Sequence, residues 1–375
     1  MCAIGVDEGV LRGAVETLLD EQIAAGGFPG AAWAVRFRDG RIVSGARGQA
    51  ARIPAPADAR IDTIWDAASL TKPLVTGTLA MIAVDRGLLR LDEPALRLAP
   101  ELRASPMADR ITIADLLTHR AGFQAWYPLY TEGSSAQSYV ESIARRPLRY
   151  WPGTCVIYSC LGFILLGIVL ERLFDRSLRE LAAEQLFGPM GLRDSALSPD
   201  ASLRPRIAPT EMGNAHERAM VRDRGLEFHG FRDALIHGEV NDGNAFHLGG
   251  AAGNAGLFAT AAEVVTLASA WMDDGRALFS KSLRSLATRN HTLGLAENRG
   301  FGWLLRGTAR SHPAAALSGG AFGHTGFTGC SIWCDPATGV AVALMTNRIH
   351  PAVGPTAIQS VRARLNAIVA SAAAQ

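Results

Sequence analysis

The chain has 375 residues, of which 48% are hydrophobic and 19% charged, and a formal net charge of +2. That length and composition exclude a disordered segment and provide for a large core, in two lobes rather than one. The small net charge, carried by scattered basic residues, excludes a nucleic-acid surface.

Taken in chain order, "MCAIGVDEGVLRGAVETLLDEQ" lacks a basic start and turns acidic before any adequate apolar core, so it does not read as a leader. A cytoplasmic location is the expectation, or a periplasmic one if a leader has been removed. Residues 7 to 25 carry helical periodicity. "PGAAWAVRFRDGRIVSGARG" (29 to 48) reads as two strands around Asp39-Gly40, a strong hairpin signal. An apolar helix follows Ser69. "ITIADLLTHRAGF" (111 to 123) reads as a helix stopped by Gly122, and 158 to 187 as two helices. Within these, "LGFILLGIVL" (161 to 170) is too short for a membrane span, which needs roughly 20 apolar residues. Residues 200 to 247 read as a long ordered loop of the kind that lines a site. A helix over "AAEVVTLASAWMDDG", then strands through "AFGHTGFTGCSIWCDPATGVAVALMTNR" and a last helix over 355 to 370, complete the chain. The pattern predicts residues 1-88 plus 251-375 as an α/β lobe made by both chain ends. Residues 89-250 would form an inserted, mostly helical lobe with long loops, and the active site would lie between the two.

Five cysteines (Cys2, Cys155, Cys160, Cys330, Cys334) are an odd number without a disulfide or zinc layout, and read as small buried residues in a reducing compartment. His216, His229, His237 and His247 show no ligand spacing, so no metal is expected and these side chains read as solvated or substrate-facing. "GGAAGNAGLF" lacks the strand, helix and lysine of a phosphate loop; its glycines read as close packing beneath a site.

Lysine is scarce. Of 37 basic residues only Lys72 and Lys281 are lysine, and Lys72 stands three residues after Ser69. Residues three apart on a helix share a face. A serine hydroxyl is a weak nucleophile until a base takes its proton. Arginine does not deprotonate in proteins, whereas lysine can if burial and a helix N-terminus push its pKa down. The first N–H groups of a helix lack internal partners, so the Ser69 N–H is available to a developing oxyanion. The bland alternative is a surface lysine on an ordinary helix.

Two further motifs decide between them. "YWPGTCVIYSC" places Tyr158 in a turn leading into a helix, and "FGHTGFTG" places His324-Thr325-Gly326 in an edge strand. In this order the three motifs resemble the serine β-lactamase and penicillin-binding-protein superfamily, in its class C branch of esterases and DD-peptidases. The resemblance covers nearly the whole chain, through "LLTHRAGF", "FGPMGLRDSAL", "RIAPTE", "GEVNDGNAFHLGGAAGNAGLFATAAEV" and "GHTGFTGCSIWCDPATGVAVALMTNRIHP". It implies an α+β fold, an antiparallel sheet flanked by helices with an inserted helical lobe. It also implies a serine hydrolase without cofactor, acting on a small-molecule or short-peptide ester or amide. Ser69 would be acylated, Lys72 would be its proton partner, and Tyr158 would shuttle the proton to the leaving group. Phe327 would give a second oxyanion N–H, and Thr325 and Gly326 would line the strand that a substrate amide pairs with.

Three departures lie at the site walls. His324 replaces the lysine of true β-lactamases, Cys160 ends the second motif where the family has Asn, and Asn241, beside Asp242, stands where the subgroup commonly has histidine. The chemistry thus reads as kept and the substrate as changed. Acyl transfer through the same acyl-enzyme, and a non-turnover protein that binds β-lactams or muropeptides, remain as alternatives.

Overall fold

The computed structural model describes residues 7–272 and 278–374. Its main sheet draws on both ends of the chain. The strands are β1 (Gly30–Arg36), β2 (Ile42–Ala51), β3 (Ala57–Asp58), β4 (Trp65–Asp66), β5 (Ala196–Leu197), β6 (Leu257–Ala259), β7 (Leu304–Leu305), β8 (Phe322–Thr325), β9 (Ser331–Asp335) and β10 (Val340–Thr346). Seven of them pair in the order β3-β2-β1-β10-β9-β8-β7, antiparallel throughout. The hairpin read around Asp39-Gly40 is β1–β2, with Gly40 at φ +88°.

Both faces of the sheet are covered, so its central strands are apolar on both sides rather than alternating with polar residues. Trp33, Val35, Val342 and Leu344 face Leu11, Val15, Val361 and Leu365 of the Glu8–Ala24 and Ile358–Ala373 helices. Ala32, Ala34, Ala343 and Met345 face the main core, which includes the Ala261–Ser269 helix. Burial of this kind contributes about 25 cal/mol per Å² of apolar surface.

A second sheet, β4-β6-β5, carries the chain into Ser69. Beneath it the glycines read as packing devices have that role. A Cβ on Gly253 would lie 1.9 Å from the Phe163 carbonyl oxygen, inside the Cys160–Phe174 helix, so only glycine allows this approach.

The chain departs from its sequence reading at four places. The helix at 111 to 123 is only Ile113–Leu117: it leaves helical geometry at His119, φ +60°, before Gly122 turns the chain. The long stretch 200 to 247 contains an amphipathic helix, Ala215–Arg222, whose two turns are too short to stand out among so many polar residues. Strand β8 is not an outer strand over its whole length, because β7 covers Phe322 and Gly323; His324 and Thr325 extend past β7. Among the cysteines, Cys330 and Cys334 are buried as expected, Cys155 is exposed and Cys160 half-buried. Cys2 and residues 273–275 of the "AAEVVTLASAWMDDG" helix lie outside the described residues. No helix of the described residues is long and apolar enough to cross a membrane.

Candidate active site

Ser69 stands in a single tight turn, Ala68–Leu70, wound directly onto a π-helical turn, Lys72–Gly77. π-turns are rare and concentrate at functional sites. Ala68, immediately before the serine, is held at φ +48°, a left-handed conformation that costs a non-glycine residue about 1–2 kcal/mol. Asp66 holds this turn. Its carboxylate accepts the Ala68 N–H at 2.8 Å and the Asn241 N–H at 2.8 Å, tying the turn to the distant 241 loop.

Lys72 is fully buried, and its Nζ donates to Ser69 Oγ at 3.0 Å and to the Asn254 carbonyl at 3.0 Å. The close approach of Gly253 beneath positions that carbonyl. Burial pushes the Lys72 ammonium down. The facing Cys160, Tyr158 and Asp242 raise it by more, so its pKa stands above the ordinary lysine value. The expectation of a depressed lysine pKa is therefore corrected: at neutral pH the resting lysine is charged.

Tyr158 meets both Lys72 and Ser69 through its hydroxyl, and Lys72 Nζ lies 5.0 Å from its ring centroid. Burial raises the phenol above its ordinary pKa, and Lys72 opposes that rise. A residue outside the three motifs positions this turn. His119 Nδ1 accepts the Ser159 N–H at 3.0 Å, its carbonyl accepts the Ile157 N–H at 3.1 Å, and its ring packs 4.7 Å from that of Tyr158. The string "LLTHRAGF" holds this residue, but no spacing in it points to Tyr158.

Gly326 packs on the serine turn, where a Cβ would lie 2.7 Å from the Ala67 carbonyl. Thr328 Oγ1 donates to the Asp66 carbonyl at 2.8 Å, and Arg362 from the last helix donates to the carbonyls of Gly326 and Cys330 at 3.1 and 2.8 Å. Among the described residues neither the Ser69 nor the Phe327 backbone N–H donates to a protein acceptor.

Two cavities meet at Ser69, Tyr158 and Phe327. One is lined by Cys160, Asn241 and Asp242, as the sequence suggests, and also by Glu211, Glu217, His216, Trp126 and Met220. The other is lined by His324, Thr325 and Gly326 together with Arg299, Arg348 and Arg362. All ten candidate residues thus border the Ser69 site. Arg299, Arg362 and Glu217 have no sequence signal, because segments distant in the chain deliver them, Glu217 from the Ala215–Arg222 helix and Arg362 from the last one; Glu211 ends the string "RIAPTE", but nothing in that string points to the site. Of the loop histidines, His216 lines the first cavity. His237 instead bonds the Arg204 and Ile207 carbonyls at 2.9 Å each and His247 packs on Tyr130 and Phe228, both half-buried, while His229 is exposed as the sequence suggests. Burial raises the Cys160 thiol, with Lys72 opposing, so it rests as a thiol and not as a competing nucleophile.

Asp66, under the serine turn, and Glu217, in the first cavity, carry a pH signature. Burial pushes Asp66 up to about 6 and Glu217 up to about 8, the latter with help from Asp242. Both titrate higher folded than unfolded, so the folded state binds more protons between the two values. The stability they contribute is complete below the unfolded pKa and is lost as pH rises through about 6 and about 8. Thermal melts should show Tm falling between about pH 5 and pH 8.5, with a shallower slope in Glu217→Gln. An identical slope in that variant would assign the effect elsewhere.

Comparison with known proteins identifies the family and the fold. A family model described as β-lactamase matches residues 15–365. N-acetylmuramyl-L-alanine amidase of Bacillus subtilis (strain 168) is 29% identical over 370 residues, covering 91% of this chain and 82% of that protein. The structure of EstCE1, a hydrolase with promiscuous acyltransferase activity, superposes with a TM-score of 0.75 at 19% identity, covering 97% of this chain and 100% of the other. A class C β-lactamase mutant superposes with a TM-score of 0.75 at 18% identity, covering 98% and 99%. With a serine, a lysine and a tyrosine gathered at one turn and the family match spanning nearly every residue, the chain belongs to the β-lactamase family of serine hydrolases.

Proposed function

We propose that the protein cleaves a small ester or amide through an acyl-Ser69 intermediate. The observation that carries this reading is the 3.0 Å contact of Lys72 Nζ with Ser69 Oγ, beside two N–H groups that lack a protein acceptor among the described residues. Because Lys72 rests charged and Tyr158 neutral, the reactive form is the one in which the pair has lost one proton. Ser69 Oγ then bonds the substrate carbonyl carbon as its proton passes to the pair. The oxyanion forms between the Ser69 and Phe327 N–H groups. Collapse breaks the bond to the leaving group, which takes the proton from Tyr158, and water repeats the sequence to release the acid. Thr325 and Gly326 line the strand end, beyond the reach of β7, with which a substrate amide pairs. His324 and Arg348 line the half of the site where a substrate carboxylate would lie, and Cys160, Asn241 and Asp242 line the other half.

The division into residues 1-88 plus 251-375 and 89-250 is part of this proposal, and the shared origin of the main sheet in both chain ends supports it. The free thiols of Cys155, Cys160, Cys330 and Cys334 support a cytoplasmic location.

Intact-mass measurement of enzyme quenched during turnover of p-nitrophenyl acetate and of D-alanyl peptides tests the reading. A transient adduct on the Ser69 peptide is the expected result. A lasting adduct marks a non-turnover binding protein, and an adduct drained faster by added alcohols or amines marks an acyltransferase. An adduct on any other residue overturns the nucleophile.

A further inference from the structure

The cavity beside Ser69 is built for a positive charge. Glu211 and Glu217 line it and are each less than a tenth exposed, Asp242 lines it beside them, and the buried Asp66 lies behind, bonded to the Ala68 and Asn241 N–H groups. Among the described residues the cations packed near them are Lys72, already bonded to Ser69, and Arg232, whose guanidinium is bonded to the Asn214 side chain and to the Val240 and Asn241 carbonyls. His216 lines the same wall, with its backbone N–H on Glu211 at 3.4 Å and its ring stacked on Phe327. Three acids, Glu211, Glu217 and Asp242, thus share one wall, two of them buried, and make a surface rich in acceptors that a donor-rich group would satisfy.

The wall is also constructed around its acids. Glu217 accepts the Gly243 N–H at 2.8 Å and the Tyr130 hydroxyl at 3.0 Å, and a Cβ on Gly243 would lie 2.1 Å from Glu217 Oε2. A side chain at 243 would displace the carboxylate. Asn241 supplies an independent pointer to a ligand. Its amide nitrogen donates to Glu211 Oε1 at 3.2 Å, which fixes which way the amide faces. Its Oδ1 is then left buried without a hydrogen-bond partner, on a side chain that lines the cavity and is 5% exposed. A buried acceptor without a donor is rare and costs on the order of 1–3 kcal/mol.

We infer that this cavity is a subsite for a substrate group bearing a primary ammonium, held by Asn241 Oδ1 and the carboxyl groups of Glu211 and Glu217. An ammonium offers three donors and one positive charge, which matches an unpaired acceptor flanked by two acids. On the opposite side of Ser69, Arg299, Arg348 and Arg362 give the second cavity the opposite sign. The substrate class is therefore an aminoacyl ester or amide with its amine on the acidic side of the scissile bond. This inference rests on the acyl-Ser69 reading.

The test compares the phenyl ester of β-alanine with phenyl butyrate, which replaces the ammonium by a methyl group, and with phenyl 3-hydroxypropanoate. Each kcat/KM is divided by the ester's own rate of alkaline hydrolysis. The ammonium ester should exceed the butyrate at least about tenfold in the wild-type protein, and Glu211→Gln and Glu217→Gln should each bring that ratio toward one. A wild-type ratio at or below one, a ratio unchanged in both variants, or a preference for the hydroxyl ester overturns the ammonium subsite. Butyrate acylating Ser69 without an ammonium advantage removes this inference alone. Absence of an adduct on Ser69 with all three esters removes the acyl-enzyme as well.

Discussion

Replacing Ser69 by alanine should lower turnover by about three to six orders of magnitude while leaving the protein folded. The serine is half-buried, and the hydrogen bond its hydroxyl accepts from the charged Lys72 is worth about 1.5–3 kcal/mol of stability, with the Asn254 carbonyl still bonded to the lysine, so the fold survives the change. No substitute nucleophile is at hand. Ser177, Ser195 and Ser318 each bond a carboxylate, but none lines either cavity at the site. The Cys160 thiol beside the turn is held in its protonated form by burial. Labelling by a fluorophosphonate, read by mass spectrometry, should vanish in Ser69→Ala. Persistent labelling would move the nucleophile elsewhere.

Lys72→Arg should be nearly as damaging as Lys72→Ala, a loss on the order of a thousandfold in kcat/KM. Arginine keeps the charge that the resting enzyme carries, so an electrostatic role alone would survive the change. The proton-transfer role would not, because the guanidinium does not give up its proton. Space works in the same direction: Lys72 is 0% exposed, and its nitrogen already meets Ser69 and Asn254, leaving no room for a planar fork. Near-ultraviolet circular dichroism separates a misfolded variant from an inactive one. If a folded arginine variant keeps more than about a tenth of kcat/KM, a loss under ~1.4 kcal/mol, Lys72 only supports the charge balance.

What is legible in the sequence is local. Ser69 and Lys72 are three residues apart, and the scarcity of lysine marks the pair by itself. The motif order gives Tyr158, His324, Thr325 and Gly326 their places around it. The supports are invisible there because their bonds join residues far apart in the chain: His119 meets Ser159 across 40 positions, and Asp66 meets Asn241 across 175. Electrostatics mislead for a related reason. A depressed lysine pKa follows from burial and a helix N-terminus alone, whereas Cys160, Tyr158 and Asp242, all distant in sequence, reverse its sign. The Ala215–Arg222 helix escapes because one short apolar face among many charges gives little periodic signal.

The bond from Thr328 to the Asp66 carbonyl spans 262 positions. A ribosome adding about 5–20 residues per second needs roughly 13 to 50 s to cover that separation. For that time the nascent chain holds Ser69 and Lys72 but neither the Phe327 N–H nor the Arg362 guanidinium that secures the strand end at Gly326. Under the proposed chemistry the serine is made early and stays unreactive, because one of the two proposed oxyanion donors has yet to be synthesised. Premature acylation of an unfinished chain, which would block the closing of the sheet around it, is avoided by the order in which the residues are made.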